Sequence, residues 1–267
     1  MPKGRLGFMP TPIYTSANCQ PAYQLRWSLA LFCEQSIPPS SEWLGALRAA
    51  VERDGVRILE HGSNENVLFF LLSTRPDVSP PQIVKSVKGR LQNLIQAHAP
   101  KAFRRNFRLT SVGDTNRQTI EAYVRGQLGH HQMADERVDQ MLADFQFEFP
   151  DVDLSLPQRS AHGEYLYNLH VVLVHAERWR EVRANRLRIT AEMILKSART
   201  KGHRLSRLSL LADNLHFTLG LPYESTPEDI ALAYMNNVAF AHGMTALFSS
   251  GYYVGTFGDY DMNAVRR

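Results

Sequence analysis

The chain has 267 residues, 44% of them hydrophobic and 21% charged, with a formal net charge of +4. At about 150 residues per domain this length suits two modest domains, and the apolar content is enough for a packed core, which excludes a disordered tail or a fibrous repeat. The longest apolar runs, such as Val67–Leu72, fall far short of the roughly 20 residues of a membrane-spanning helix. No stretch of signal-peptide length follows Met1–Phe8, and only Cys19 and Cys33 are present, so the expectation is a cytoplasmic protein with reduced thiols.

In chain order, Tyr23–Leu31 alternates apolar and polar residues as a strand does. Glu42–Asp54 carries Leu44, Leu47 and Val51 on one helical face. The apolar strand 66–72 leads to Ser79-Pro80, a hydroxyl cap followed by proline at the first helical position, and then to a helix with Ile83, Val87, Leu91 and Leu94 on its buried face. An aromatic-rich stretch from Phe103 ends in Ser111-Val-Gly-Asp114. A long helix is expected from Asn116 to Phe145, with Ile120, Tyr123, Val124 and Leu128. Proline, serine and glycine between Phe149 and Gly163 suggest a linker.

The second half retraces the first at an offset of 144 to 147 residues. Tyr167–His175 answers Tyr23–Leu31, and the basic helix Glu181–Lys201, with Leu187, Ile194 and Ala198, answers Glu42–Asp54. Strand 213–219 answers 66–72, and Thr226-Pro227 answers Ser79-Pro80. The helix behind Thr226 places Ile230, Tyr234, Val238 and Ala241 on its buried face, and Thr256-Phe-Gly-Asp259 closes the unit. Each unit reads strand, helix, strand, helix, strand. The expected fold class is α+β, with two tandem ferredoxin-like antiparallel-sheet domains, 1–146 and 164–267, joined by a linker at 147–163 and paired as an intrachain pseudo-dimer.

Charge is concentrated in two stretches. Between Lys85 and Arg108 lie seven basic residues and no acid, and between Arg178 and Arg207 lie ten basic residues against Glu181 and Glu192. Clustered cations of this kind fit a polyanion partner. The candidate phosphate contacts are Lys85, Lys88, Arg90, Arg104, Arg105, Arg108, Arg178, Arg183 and Arg186. No Walker pattern, dinucleotide fingerprint or nucleophile elbow is present, so neither a nucleotide cofactor nor serine-hydrolase chemistry is indicated.

Ser79-Pro-Pro-Gln-Ile-Val-Lys-Ser-Val-Lys-Gly-Arg90, Ser111-Val-Gly113, Tyr123-Val-Arg-Gly-Gln127 and His130-His131 together resemble the single-tyrosine transposases of the insertion-sequence-200-like kind, in the HUH endonuclease superfamily, and their relatives associated with repetitive palindromes. In that family two histidines around a hydrophobic residue hold a divalent metal on single-stranded DNA, a helix glutamine assists, and a tyrosine attacks to leave a 5′-phosphotyrosine. The resemblance implies that Tyr123 is the nucleophile. The histidine positions fall on Val67 and Phe69 in the first unit and on Asn214 and His216 in the second, with Asp213 just before. Val67 and Phe69 have no ligand atoms, so a degenerate site of His216, Gln127, Asn214 and Asp213 with magnesium or manganese is implied only if cleavage survives. No counterpart of Tyr123 occurs in the second unit up to Arg267.

The function implied is a DNA-binding protein of transposase descent that recognises single-stranded or hairpin DNA, with lost or reduced nicking, acting as a monomer. The alternatives are an active metal-dependent transposase that joins Tyr123 to His216 across the units, and a protein-interaction scaffold.

Overall fold

The computed structural model describes residues 11–64, 66–130 and 133–259. The first half runs β1 (Gln20–Gln24), β2 (Arg26–Cys33), α1 (Ser40–Arg53), β3 (Val56–Asn64), β4 (Val67–Thr74), α2 (Pro80–Val84), a π-helical turn (Lys85–Gly89), α3 (Arg90–Ile95), β5 (Phe103–Val112), α4 (Arg117–His130) and α5 (Glu136–Ala143). Short strands β6 (Gln146–Glu148) and β7 (Gln158–Arg159) follow, so the expected linker contributes edge strands to both sheets. The second half runs β8 (Gly163–Leu166), β9 (Asn168–His175), α6 (Ala184–Lys201), β10 (Arg204–Leu210), β11 (Asn214–Gly220), α7 (Pro227–Ala241) and β12 (Phe248–Phe257).

Two six-stranded sheets result, ordered β3-β4-β2-β5-β8-β7 and β1-β12-β9-β11-β10-β6. Within each, the four main strands take the ferredoxin-like order second, third, first, fourth, and these are antiparallel. The α+β class expected from the sequence is the one observed. Each unit has four main strands rather than three: β3 and β10, absent from the sequence reading, carry polar and basic residues among their apolar ones and so lack a clean period-two signal.

One face of each sheet packs on its own helices. Trp27, Leu29, Leu31, Phe70 and Leu72 meet Trp43, Leu47 and Val51 of α1 in one unit, and Leu169, Val171, Phe217 and Leu219 meet the faces of α6 and α7 in the other. At the start of α2, Gln82 Oε1 accepts from the Ser79 backbone N–H at 2.7 Å, and at the start of α7 Thr226 Oγ1 accepts from Asp229 N–H at 3.0 Å, so both hydroxyl-proline starts are helix N-termini. Leu94 is exposed, contrary to expectation, and Ile95 is buried in its place. The wider π-helical turn keeps residues four apart, Ile83, Val87, Leu91 and Ile95, on one face.

The long helix expected over 116–145 is two helices. Asp135 restarts the chain as a new N-cap, its carboxylate accepting from Arg137 N–H at 3.0 Å, and α5 then seats Leu142 and Phe145 in the second unit's core.

The halves exchange strands reciprocally. β1, at the entrance to the first unit, pairs in parallel with β12 of the second sheet, and β8, at the entrance to the second unit, pairs in parallel with β5 of the first. Ser111 Oγ donates to Phe257 O at 2.7 Å while Thr256 Oγ1 donates to Val112 O at 2.8 Å, a two-way exchange of the kind an isologous contact makes. Strand pairing also corrects the sequence register. Trp27 lies opposite Leu72 and Ser111, and Leu169 opposite Leu219 and Thr256, so Trp27 corresponds to Leu169, Tyr23 to Tyr165 rather than Tyr167, and Ser28 to His170.

Candidate functional site

The outer face of the second sheet is polar yet covered. Alternation along β9 and β11 sends Leu169, Val171, Phe217 and Leu219 to the helical core, which leaves His170, His216 and Thr218 on the opposite face. Helix α4 of the first unit lies across that face, against β10 and β11. It is held there by Val124, 1% exposed, and Gln127, 2% exposed, and is fastened to the edge strand by the Arg125–Glu148 ion pair at 2.9 Å.

This docking sets Tyr123 edge-on against two imidazoles. Its ring centroid is 6.1 Å from that of His170 and 5.9 Å from that of His216, with interplanar angles of 81° and 71°. His170 Nε2 and His216 Nδ1 stand 3.2 Å apart in a hydrogen bond whose donor depends on tautomer. Tyr123 itself is 48% exposed, so the ring reaches from solvent to a buried histidine pair. Gln127 lies one turn further along α4, and its Nε2 donates to the Tyr123 carbonyl at 3.2 Å. Tyr253 packs on the far side of His170 at 5.8 Å, its phenol pushed up chiefly by burial.

Burial, together with the neighbouring His216, lowers His170 to about 3. The folded protein therefore keeps it neutral, the form in which imidazole ligates a metal. The unfolded chain takes up this proton near 6.5, so stability is lost as the pH falls from about 6.5 towards 3. His203, lowered to about 4 by burial, acts in the same direction. The thermal midpoint should drop between pH 7 and pH 5, and the drop should be shallower in His170→Asn; an unchanged slope in that variant would remove His170 from the account.

Two facing imidazoles suit a divalent ion. Nitrogen ligands about 2.1 Å from one ion stand roughly 3 Å apart, close to the spacing here. Imidazole donors favour manganese or another transition ion over magnesium, which prefers oxygen. Among the described residues no group of three His, Cys, Asp or Glu is placed to hold an ion.

Of the sequence candidates, Tyr123 and His216 come together, and Gln127 is buried one turn along α4 from Tyr123. Asp213 and Asn214 do not join them through any contact among the described residues: Asn214 Nδ2 donates to Asp213 Oδ1 at 2.7 Å, and Asp213 pairs with Arg178 at 3.3 Å. His130 is exposed, and His131 lies outside the described residues. His170 was missed because it lies 46 positions from His216 and inside an otherwise apolar strand. The available signal was its parity on β9, which puts it on the same face as His216 once the two strands are adjacent.

The basic stretches acquire partners in the fold. Arg90 and Ser86 grip Asp54 and bring its carboxyl down to about 2. Lys88 donates to the carbonyls of Arg104 and Arg105, Arg108 pairs with Glu164, Arg183 with Glu181, and Arg186 meets His242. Lys85, Arg104 and Arg105 show no ion pair among the described residues, and Arg104 and Arg105 are exposed on β5.

Residues 40–127, from α1 through Tyr123 to Gln127, match the family model described as "Transposase IS200 like". Over this stretch, a third of its length, the chain is similar to the IS200-like transposases. The match runs from α1 to Gln127 of α4, past Tyr123, and leaves out β1 and β2. No curated protein matches the chain. Among solved structures, a bacterial light-regulated adenylyl cyclase is similar over 87% of this chain and 72% of that one, at 10% identity and a TM-score of 0.21, a likeness too slight to carry an argument. No helix among the described residues is long and apolar enough to cross a membrane. Cys19 and Cys33 are free and buried.

Proposed function

We propose that the protein binds single-stranded or hairpin DNA and cleaves one strand through Tyr123, at a single centre shared between its two units. The observation that carries this reading is the Tyr123 ring set against the His170–His216 pair, with Gln127 one turn away on a helix that the family model covers. On this reading the chain arose by tandem duplication and assembles in one polypeptide a centre that its relatives build from two subunits. The exchanged strands and the reciprocal Ser111 and Thr256 hydrogen bonds support that origin.

The Tyr123 oxygen would attack the scissile phosphorus. One Tyr–O–P bond forms, the bond to the 3′ oxygen breaks, and the 5′ phosphate remains on the tyrosine while the phenolic proton leaves to solvent. A bound divalent ion would supply charge neutralisation at the phosphate oxygens. His170 and His216 would hold it, the ring that donates the hydrogen bond between them moving that one proton to its other nitrogen. Because His170 is kept neutral by burial, its part is ligation rather than proton uptake.

A second reading, binding without cleavage, is favoured by the hydrogen bond that joins the two imidazoles to each other. Incubation with labelled hairpin DNA and manganese separates the two: a covalent adduct that survives denaturation supports cleavage, and a shifted band without an adduct supports binding alone.

On either reading the affinity is electrostatic in part. Arg104→Ala with Arg105→Ala should weaken single-strand binding and lower the slope of log K against log salt by about 1.4, at roughly 0.7 per lost phosphate contact. A titration over 50–300 mM salt measures this. Binding that ignores salt would rule out these arginines as phosphate contacts.

A further inference from the structure

Among the described residues no helix lies across the outer face of the first sheet as α4 lies across that of the second, although Leu71 on this face is buried. The register of the first sheet equates Phe69 with His216, Ala30 with Val172 and Ser28 with His170, so the surface that holds the histidine pair in one unit is here built from different chemistry. Phe69 is 42% exposed on β4. Its cross-strand neighbours are Ala30 and Gly62, neither of which has bulk to cover the ring, and a methyl group built on Gly62 meets nothing within 4 Å. One position diagonally along, Phe32 pairs with Val67 and lines an open groove of about 450 Å³ shared with Asn106, Arg108, Arg159 and His162.

We infer that this outer sheet face is a second nucleic-acid site, at which bases of single-stranded DNA stack on Phe69 and Phe32 while their phosphates run along the groove at β5 and β8. An exposed aromatic, Phe69, and a half-buried one, Phe32, on adjacent inner strands of the sheet form a surface that takes splayed bases, since every base offers a π face. The diagonal spacing of such positions, about 7–8 Å, suits two successive unstacked bases.

The charge is complementary. Arg108 and Arg159 share the single carboxylate of Glu164, at 2.7 Å and 3.6 Å, which leaves the groove net positive, and both guanidiniums are largely exposed. Arg26 lies on the same face by register, and Arg104 and Arg105 are exposed on the same strand as Arg108. Among the described strand residues, the acids on this face are Glu164 and, on the edge strand, Glu60. Phe69 therefore replaces a ligand position with a stacking one, and this face becomes a guide for the strand processed at the other unit.

The inference rests on single-stranded DNA being the ligand, but not on Tyr123 chemistry. The test is fluorescence anisotropy of a labelled 20-mer oligothymidylate, and of the same oligomer with abasic sites, against the full chain, Phe69→Ala, Phe32→Ala and Phe69→Tyr. Loss of one stacked base is worth about tenfold in Kd. Phe69→Ala and Phe32→Ala should each weaken the oligothymidylate about tenfold, Phe69→Tyr should restore wild-type binding, and the abasic strand should bind all four proteins alike. Equal binding by wild type and both alanine variants overturns the stacking face while leaving the proposed function standing. No binding of any single strand by wild type at low salt overturns both and points to a protein ligand for this face.

Discussion

Replacing Tyr123 with phenylalanine is expected to abolish the covalent protein–DNA adduct, lowering its yield by at least about a thousandfold, with folding unaffected. The substitution removes one hydroxyl and keeps the ring. The aromatic edge that meets His170 and His216 is therefore retained, and Val124 and Gln127, the buried residues that seat α4, are untouched. A nucleophile has no substitute in the step it performs, which is why its removal costs far more than the loss of a binding contact. Denaturing gels of labelled hairpin DNA, run with manganese and with magnesium, read the outcome. His216→Asn and His170→Asn should each reduce the adduct and shift its manganese requirement upward, because each removes one of two nitrogen donors. An equal adduct in Tyr123→Phe would place the nucleophile elsewhere, and no adduct in any protein, with DNA still bound, would establish the binding-only reading.

The second large effect concerns the join between the units. Gly258→Ala is expected to lower the thermal midpoint by roughly 5–10 °C. A β-carbon there would stand 2.3 Å from the Ser111 carbonyl oxygen, and the mirrored position, Gly113, would meet the Thr256 carbonyl oxygen at 2.6 Å. Both obstacles are backbone, which cannot swing aside as a side chain does, so the two chains must part and the Ser111 and Thr256 hydrogen bonds must stretch. Overpacking of this kind costs about 2–3 kcal/mol, and each kcal/mol shifts the midpoint of a protein this size by about 2–4 °C. Gly62→Ala, where a β-carbon meets open space, is the control and should leave the midpoint in place. If Gly258→Ala is as stable as wild type, the close approach at the join is not tight. If it is destabilised and also loses the Tyr123 adduct, the join is what holds α4 over the histidines.

The effects on activity and stability are tied together because the candidate centre lies across the interface. Tyr123 reaches His170 and His216 only because α4 leaves its own unit and docks on the neighbouring sheet. The strand exchange at β1 and β8 and the Gly113 and Gly258 contacts fix that sheet relative to the first. A small displacement there moves the phenol relative to the imidazoles without touching either, so a variant far from the centre can silence it.

The amino-acid sequence by itself determined the α+β class, the capped starts of α2 and α7, and the likeness of the first half to the IS200-like transposases, because these depend on local periodicity, capping chemistry and short-range motif spacing. It also singled out Tyr123, Gln127 and His216, since residue types on one helix and one strand can be counted along the chain. What only the tertiary structure decided is which strands neighbour one another. The strands β3 and β10 emerge from pairing rather than from their mixed polar pattern, and α4 and α5 separate because Asp135 starts a new helix. His170 joins His216 through cross-strand register, Asp213 is diverted to Arg178, and much of the basic charge is answered by acids such as Asp54 and Glu164 from outside the basic stretches. The physical reason is the same in each case: a contact between residues far apart in sequence is set by sheet register and helix docking, which depend on the whole packed core rather than on any local stretch.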